Sequence, residues 1–333
     1  MIRRARLTDI ALIRKMAENA AWLDCERMHT QGPQDAKRVV AEAFGLLDGP
    51  VTVVWCREGT QVTAFAQFVN VGPGAVARIS CLGPRQEGLW THPAIAMLEG
   101  LVVQAGFAGL KTIIAEVNEN KNGFVSLRKA GFVVYTRQSV YTATDISRKD
   151  NIKYKSDVSI TKKQTEDRPE IYKLYNSIVP DLAKQTEEAP SNKEASYVIR
   201  NKGVMVGMFS ISEGPIGIWI KPYLYPGIGN EIGKTLASFV VSATHRYKKP
   251  AYVRTRSYQP WLGDTLKDAG FGLLSTQAVM AKRTTTQVDE HELVPISRLV
   301  TSDSDVTVPV VKIMAQESLL SKQNERPFET RNL

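Results

Sequence analysis

The chain has little of several things that would narrow its function at once. Its 333 residues include three cysteines, Cys25, Cys56 and Cys81, which show no metal-like spacing and cannot all pair. They read as free thiols of a reducing compartment, which points to a cytoplasmic protein. The four histidines, His29, His92, His245 and His291, are too scattered for the common zinc arrays. No stretch approaches the roughly 20 apolar residues of a membrane span, and Met1-Ile2-Arg3-Arg4 leads into polar sequence rather than a signal-peptide core. Lysine and arginine number 43 against 34 acidic residues, a formal +9. The densest basic runs, KKQTEDR, HRYKK and AKRTTT, are thin and lack interleaved aromatics. A nucleic-acid groove is therefore not expected, and a phosphate-bearing small molecule accounts for the charge equally well.

What is present is an ordinary globular composition, 43% hydrophobic and 23% charged, at a length that suggests two domains of about 150 residues each. IRRARL (2–7) alternates like a strand, and Thr8 or Asp9 is placed to cap the helix that follows. PQDAKRVVAEAFGLL has a proline in a first helical turn and apolar residues at helical spacing. Next come a hairpin about Glu58-Gly59 and a strand, AVARISCLG. A helix over 93–106 puts Leu98, Leu101, Val102 and Ala105 on one face. The strand KTIIAEV, a short helix closed by Gly131 and the strand RQSVYTAT complete this half. Residues 145–156 are polar and charged with no apolar period, and read as a linker.

The order then starts again: strand, helix, a hairpin about Asn201-Lys202-Gly203, a strand PIGIWI, a turn and long helix, then strand, helix and strand. Sliding the sequence by 139 lays Gly88 on Gly227, Val102 on Val241, Leu127 on Leu266, and Ala130-Gly131-Phe132 on Ala269-Gly270-Phe271. Those are six identities in 45 positions, so element order argues more strongly than identity for an internal duplication. The chain divides as an N-terminal unit over 1–144, the linker over 145–156, a C-terminal unit over 157–284, and a tail over 285–333 with a disordered end.

One stretch, IKPYLYPGIGNEIGKTL (220–236), puts Gly227 and Gly229 where a helix begins. Bare backbone N–H groups at a helix N-terminus form an anion cradle. With that turn and the Gly131-Phe132 and Gly270-Phe271 helix ends, both halves resemble the GNAT superfamily of N-acetyltransferases, in tandem. The fold class this implies is α/β (α+β): two GNAT-like lobes, each a mixed, mainly antiparallel sheet flanked by helices, with the middle strands splayed apart. The family's signature at the start of the long helix is Q/R-x-x-G-x-G/A. Gly227 and Gly229 fill both glycine positions, although Leu224 stands where Gln or Arg is usual and Pro226 has no N–H to offer. In the first half, RQEGLW supplies Arg85 and Gly88 but puts Trp90 at the last small position, where indole would collide with a phosphate. That half reads as degenerate.

The resemblance implies an acyl-CoA-dependent N-acyltransferase using acetyl-CoA, with a small-molecule or peptide amine as acceptor and an oligomeric state the sequence does not fix. Gly227, Ile228, Gly229 and Asn230 would cradle the pyrophosphate of coenzyme A, with Tyr225 a neighbouring cofactor position. Ile218, Trp219 and Ile220 would bond the pantetheine amides, and Ser257 is a further cofactor position. For Trp219 a role in the core is equally open. The chemistry needs a base for the amine, an N–H for the oxyanion and, where required, an acid for the thiolate. Glu213 is the candidate base, with a hairpin-turn carboxylate as its commoner role. The tyrosine acid usual in the family is missing, because Leu127 and Leu266 stand in its place; Tyr258 or Tyr225 is the candidate substitute. Glu116, on the matching strand of the first half, would be a base only if that half kept catalysis, and Cys81, near its equivalent thioester position, reads as a packed thiol. The alternative reading is a non-catalytic acyl-CoA-binding or regulatory protein, which the two missing tyrosines favour.

Overall fold

The computed structural model describes residues 2–32, 51–56, 62–71, 75–84, 92–142, 158–187, 189–190, 195–226 and 230–284. The helix expected from PQDAKRVVAEAFGLL, the Glu58-Gly59 turn, the linker at 145–156 and the tail from 285 lie outside these residues.

The first half runs β1 (Ile2–Arg4), α1 (Ile10–Ala17), β2 (Ala21–Trp22), α2 (Cys25–Gln31), β3 (Val51–Cys56), β4 (Val62–Asn70), β5 (Val76–Gly83), α3 (His92–Phe107), β6 (Thr112–Val117), α4 (Asn122–Lys129) and β7 (Val133–Thr142). The second runs β8 (Val158–Lys162), α5 (Arg168–Ile178), α6 (Asp181–Thr186), β9 (Ala195–Asn201), β10 (Val204–Glu213), β11 (Ile218–Leu224), α7 (Asn230–Tyr247), β12 (Ala251–Arg256), α8 (Pro260–Asp268) and β13 (Gly272–Arg283).

Alternate residues of each strand face opposite helical layers, as a period of two requires. Val53, Phe68 and Ile113 pack with Leu98, Leu101 and Leu127 of α3 and α4. Val54, Phe65 and Cys81 face the other way, onto Ile13 and Ala17 of α1. In the second half Phe209, Ile220 and Val253 meet Leu236, Val240 and Leu266 of α7 and α8. Met208, Val198 and Tyr223 meet Leu174 and Tyr175 of α5 and Ala183 of α6. The Gly-Phe pairs close α4 and α8 in the same way. Gly131 (φ 82°) and Gly270 (φ 88°) take the left-handed conformation that a side chain resists. The following Phe132 and Phe271 donate back to Leu127 and Leu266 at 3.0 and 2.9 Å.

The two sheets expected from the sequence are fused into one mixed sheet of order β1-β3-β4-β5-β6-β13-β7-β12-β11-β10-β9-β8, with β2 beside β5. The last strands have changed places: β13 lies against β6 of the first half, and β7 lies against β12 of the second. β7 and β13 pair with each other at the centre, and their register is two-fold symmetric. Gln138 stands opposite Gln277, 139 residues away. Around that pair, Ser139–Thr276 is matched by Arg137–Ala278, Val140–Ser275 by Thr136–Val279, and Tyr141–Leu273 by Val134–Met280. Even the register shifts correspond, one passing over Leu274 and the other over Tyr135.

Candidate functional site

Among the described residues two strand pairings are parallel, and in each the strands part after three residue pairs. β5 and β6 are joined from Val76–Thr112 to Arg78–Ile114. β11 and β12 are joined from Ile218–Ala251 to Ile220–Val253. Beyond those points each pair opens, and the two openings are filled differently.

In the first, the chain's own backbone enters. Ala21 and Trp22 pair with Leu82 and Cys81 of β5. Leu23 donates to the Ser80 carbonyl at 3.0 Å and accepts from the Glu116 N–H at 2.8 Å, so its peptide bridges both strands. The Glu116 carboxylate then takes the Cys25 N–H at 2.8 Å. Both edges are satisfied by main chain.

In the second opening the β11 edge meets a single side-chain amide. Tyr225 donates to Val206 on β10 at 2.9 Å, so residue parity along β11 turns Pro222 and Leu224 toward the gap. In the orientation that satisfies both ends of its amide, Gln259 accepts from Leu224 N–H at 2.9 Å and donates to the Pro222 carbonyl at 3.1 Å. Gln259 is buried.

The sequence-based site residues divide around this opening. Ile218, Trp219 and Ile220 lie in its closed part, where β10 and β12 flank them on both sides. Ile218 and Ile220 belong to the apolar core under α7 and α8. Trp219 is a packed aromatic against Cys25 and Val140 and stacks on His29 at 5.9 Å. The stretch of β11 beyond its pairing with β12 is the next one, Lys221–Leu224. Glu213 is at the far end of β10, opposite Ile218, and binds Lys249 at 2.7 Å. The structure does not bring it to the open end. Ser257 ties β12 to β7, donating its N–H to Arg137 at 2.9 Å and placing its hydroxyl 3.1 Å from that of Thr136. Tyr225 is half-exposed. Asn230 begins α7, while Gly227, Ile228 and Gly229, like Arg85, Gly88 and Trp90, lie outside the described residues. Leu127 and Leu266, at the usual tyrosine position, are fully buried in the two apolar cores.

Tyr258 packs with Tyr223 and Tyr175, beside a polar cluster that the sequence reading missed. Arg254 and Arg256 alternate on β12 and share a face with Gln138 of β7. Arg256 is paired with Glu187, which follows α6, and donates to Gln138 at 3.2 Å. Tyr135, brought from the first half by the strand exchange, donates to Glu187 at 2.6 Å. Burial alone would raise the Glu187 carboxyl, but Arg256 and Arg254 outweigh it and hold it at about 2. Burial raises the Tyr258 phenol, with Tyr223 adding to the effect. Across the centre, Glu26 of α2 bridges Arg78 of β5 at 3.2 Å and Lys221 of β11 at 3.4 Å. Those two cations overcome burial and lower Glu26 to about 2. Asp24 keeps the effect of burial and stands at about 6. The legible signal was YVRTR, where two arginines at a spacing of two put charge on one face of a buried strand. Nothing local marks Glu187 as their partner, or Glu26 as the partner of Arg78 and Lys221.

No family model matches the chain, and no curated protein matches it. In three dimensions it is similar to a GCN5-related N-acetyltransferase from Sphaerobacter thermophilus, at a TM-score of 0.56 and 14% identity over 87% of this chain and 97% of that one. It is also similar to a tandem GNAT protein from the clavulanic acid biosynthesis pathway, at a TM-score of 0.53 and 12% identity over 86% and 99%. Likeness at this identity speaks for the fold alone, and the fold of this chain is that of a tandem GNAT protein.

Proposed function

We propose that the protein is an acyl-CoA-dependent N-acyltransferase, with acetyl-CoA as donor and an amine as acceptor, and that the second half does the work. The observation that carries this is the asymmetry of the two openings. The first is closed by main chain, whereas in the second a carbonyl (Pro222) and an N–H (Leu224) hold only a side-chain amide. A pantetheine amide has the same donor and acceptor, so this edge fits it once Gln259 swings aside. The cofactor positions proposed from sequence thereby move from Ile218–Ile220 to Lys221–Leu224, with Gly227–Gly229 and Asn230 for the pyrophosphate. With all three cysteines buried and free, a reducing cytoplasmic setting belongs to the same reading. No helix among the described residues is long and apolar enough to cross a membrane.

Tyr258, kept protonated by burial, is a hydrogen-bond donor for the departing thiolate. A thiol of pKa about 8.5 leaves readily near neutral pH, so loss of a proton to solvent from an amine of pKa about 10.4 is the harder step. The rate rises with pH into the alkaline range. Glu213, held by Lys249 at the closed end, is given no part in this scheme.

Calorimetric titration with acetyl-CoA tests the assignment. Gly229→Trp, which copies Trp90 into the second half, abolishes binding, and Trp90→Gly changes the affinity less than about twofold. The opposite pattern would place the site in the first half. A second reading, an acyl-CoA-binding protein without catalysis, is favoured by the burial of Leu127 and Leu266 where an acid is usual. Tight binding with no turnover on a panel of amines would select it.

A further inference from the structure

Arg254 is 3% exposed, and among the described residues it shares one carboxylate, Glu187, with Arg256. Its nearest carboxylate oxygen, on Glu187, is 3.7 Å away, beyond hydrogen-bond reach. Its one hydrogen bond, to the Tyr223 hydroxyl, is at the 3.5 Å limit. Glu187 is engaged elsewhere, by Arg256 and Tyr135. The same face of the sheet has more polar groups without a partner among the described residues: the Nε–H of Arg254, Arg256 and Arg78, and the hydroxyls of Ser80 and Ser210. Ser210 lies opposite Lys221, and Glu26 ties Lys221 to Arg78, so these groups converge from β5, β10 and β12. A buried guanidinium with only long contacts is costly, and buried polar groups without partners are rare in native proteins. Three Nε–H groups and two hydroxyls form a set of donors that wants an acceptor with negative charge.

We propose that this buried face is the acceptor subsite and that it takes an anionic group, a carboxylate or a phosphate, on the amine substrate, with Arg254 as its main counter-charge. The proposal rests on the acyltransferase reading and names the class of its acceptor. An anion seated on Arg254 lies beside Tyr223 and Tyr258, at the open end of β11 and β12, so the amine on the same molecule is presented toward the Leu224 edge. Arg254 is here a binding residue for the acceptor and makes no contact with the acyl donor.

The test uses matched acceptors that differ by one anionic group: lysine against cadaverine, tyrosine against tyramine, and phosphoethanolamine against ethanolamine. In the wild type the anionic member of at least one pair has a kcat/KM about tenfold higher or more, the effect of one charge-assisted hydrogen bond. The responding pair tells carboxylate from phosphate. In Arg254→Gln that ratio falls to near one while the acetyl-CoA affinity stays within about twofold; Arg254→Lys keeps part of the preference. A ratio between two acceptors on one preparation does not depend on how much of the variant is folded. Ratios near one for all three pairs in the wild type, or a preference that survives Arg254→Gln, would overturn the proposal. If the wild type binds no acetyl-CoA, the acyltransferase reading fails by itself. Titration with the same six compounds then decides the anion subsite, a preference in Kd supporting it and equal or absent binding refuting it.

Discussion

Glu187 is where single atoms of the two halves meet, receiving Arg256 from one and the Tyr135 hydroxyl from the other. Its ionisation is a statement about stability. A carboxyl lowered from 4.5 to about 2 adds stability that is fully present above pH 4.5 and is lost as the pH falls toward 2. A shift of that size is worth about 3 kcal/mol. Asp24, raised by burial to about 6, acts in a different window, and its contribution fades as the pH rises from 3.8 to 6. Urea unfolding at a series of pH values separates the two. Glu187→Gln leaves two buried arginines without their carboxylate, so it loses about 3 kcal/mol or more at pH 7. It also shows a shallower decline between pH 4.5 and 2. Parallel curves for variant and wild type across that window would assign the acid sensitivity to other groups. None of these partnerships is visible in one dimension. Arg254 and Arg256 are conspicuous in their strand, but Glu187 sits in the polar run KQTEEAPS, where no period singles it out.

At the scale of elements, the contact of α2 with the turn between β10 and β11 holds Glu26 in place. The Ile216 N–H donates to the Thr30 carbonyl at 3.0 Å. A Cβ on Gly214 would lie 2.2 Å from that same oxygen, and one on Gly217 would lie 2.4 Å from the His29 carbonyl. Gly217→Ala should therefore push α2 outward, cost about 1–3 kcal/mol in urea unfolding at neutral pH, and loosen Glu26 from Arg78 and Lys221. A variant as stable as the wild type would show that the helix can give way freely. The long periodic elements, α3, α7 and the strands about them, were legible because their apolar spacing alone determines a buried face. The short β2 and α2 were not, since elements of two and seven residues draw their stability from tertiary contacts rather than from propensity. The strand PIGIWI stops at Ile220 in the sequence reading, whereas β11 runs on through Pro222 to Leu224. The strand tolerates the proline because the missing N–H would have pointed into the opening, where no strand pairs.

At the scale of the whole molecule, the exchange of β7 and β13 makes each half depend on the other. Without β13 the edge of β6 is bare, and without β7 so is that of β12. A protease site placed within 145–156 and cleaved should leave the two pieces bound in one particle on size exclusion and unfolding in a single transition. Either half expressed alone should be insoluble or unfolded. Separation of the cleaved pieces into two folded monomers would contradict the dependence. The central ladder also has a historical consequence. In a symmetric dimer one residue must face its own copy on the axis, and every other pair must occur twice with its members reversed. Gln138 opposite Gln277, flanked by reciprocal pairs 139 residues out of phase, is that pattern inside one chain. It is what two identical subunits that traded their last strands would leave behind once their genes were joined, and it makes present-day single-unit relatives that exchange this strand the place to look for the ancestor's interface.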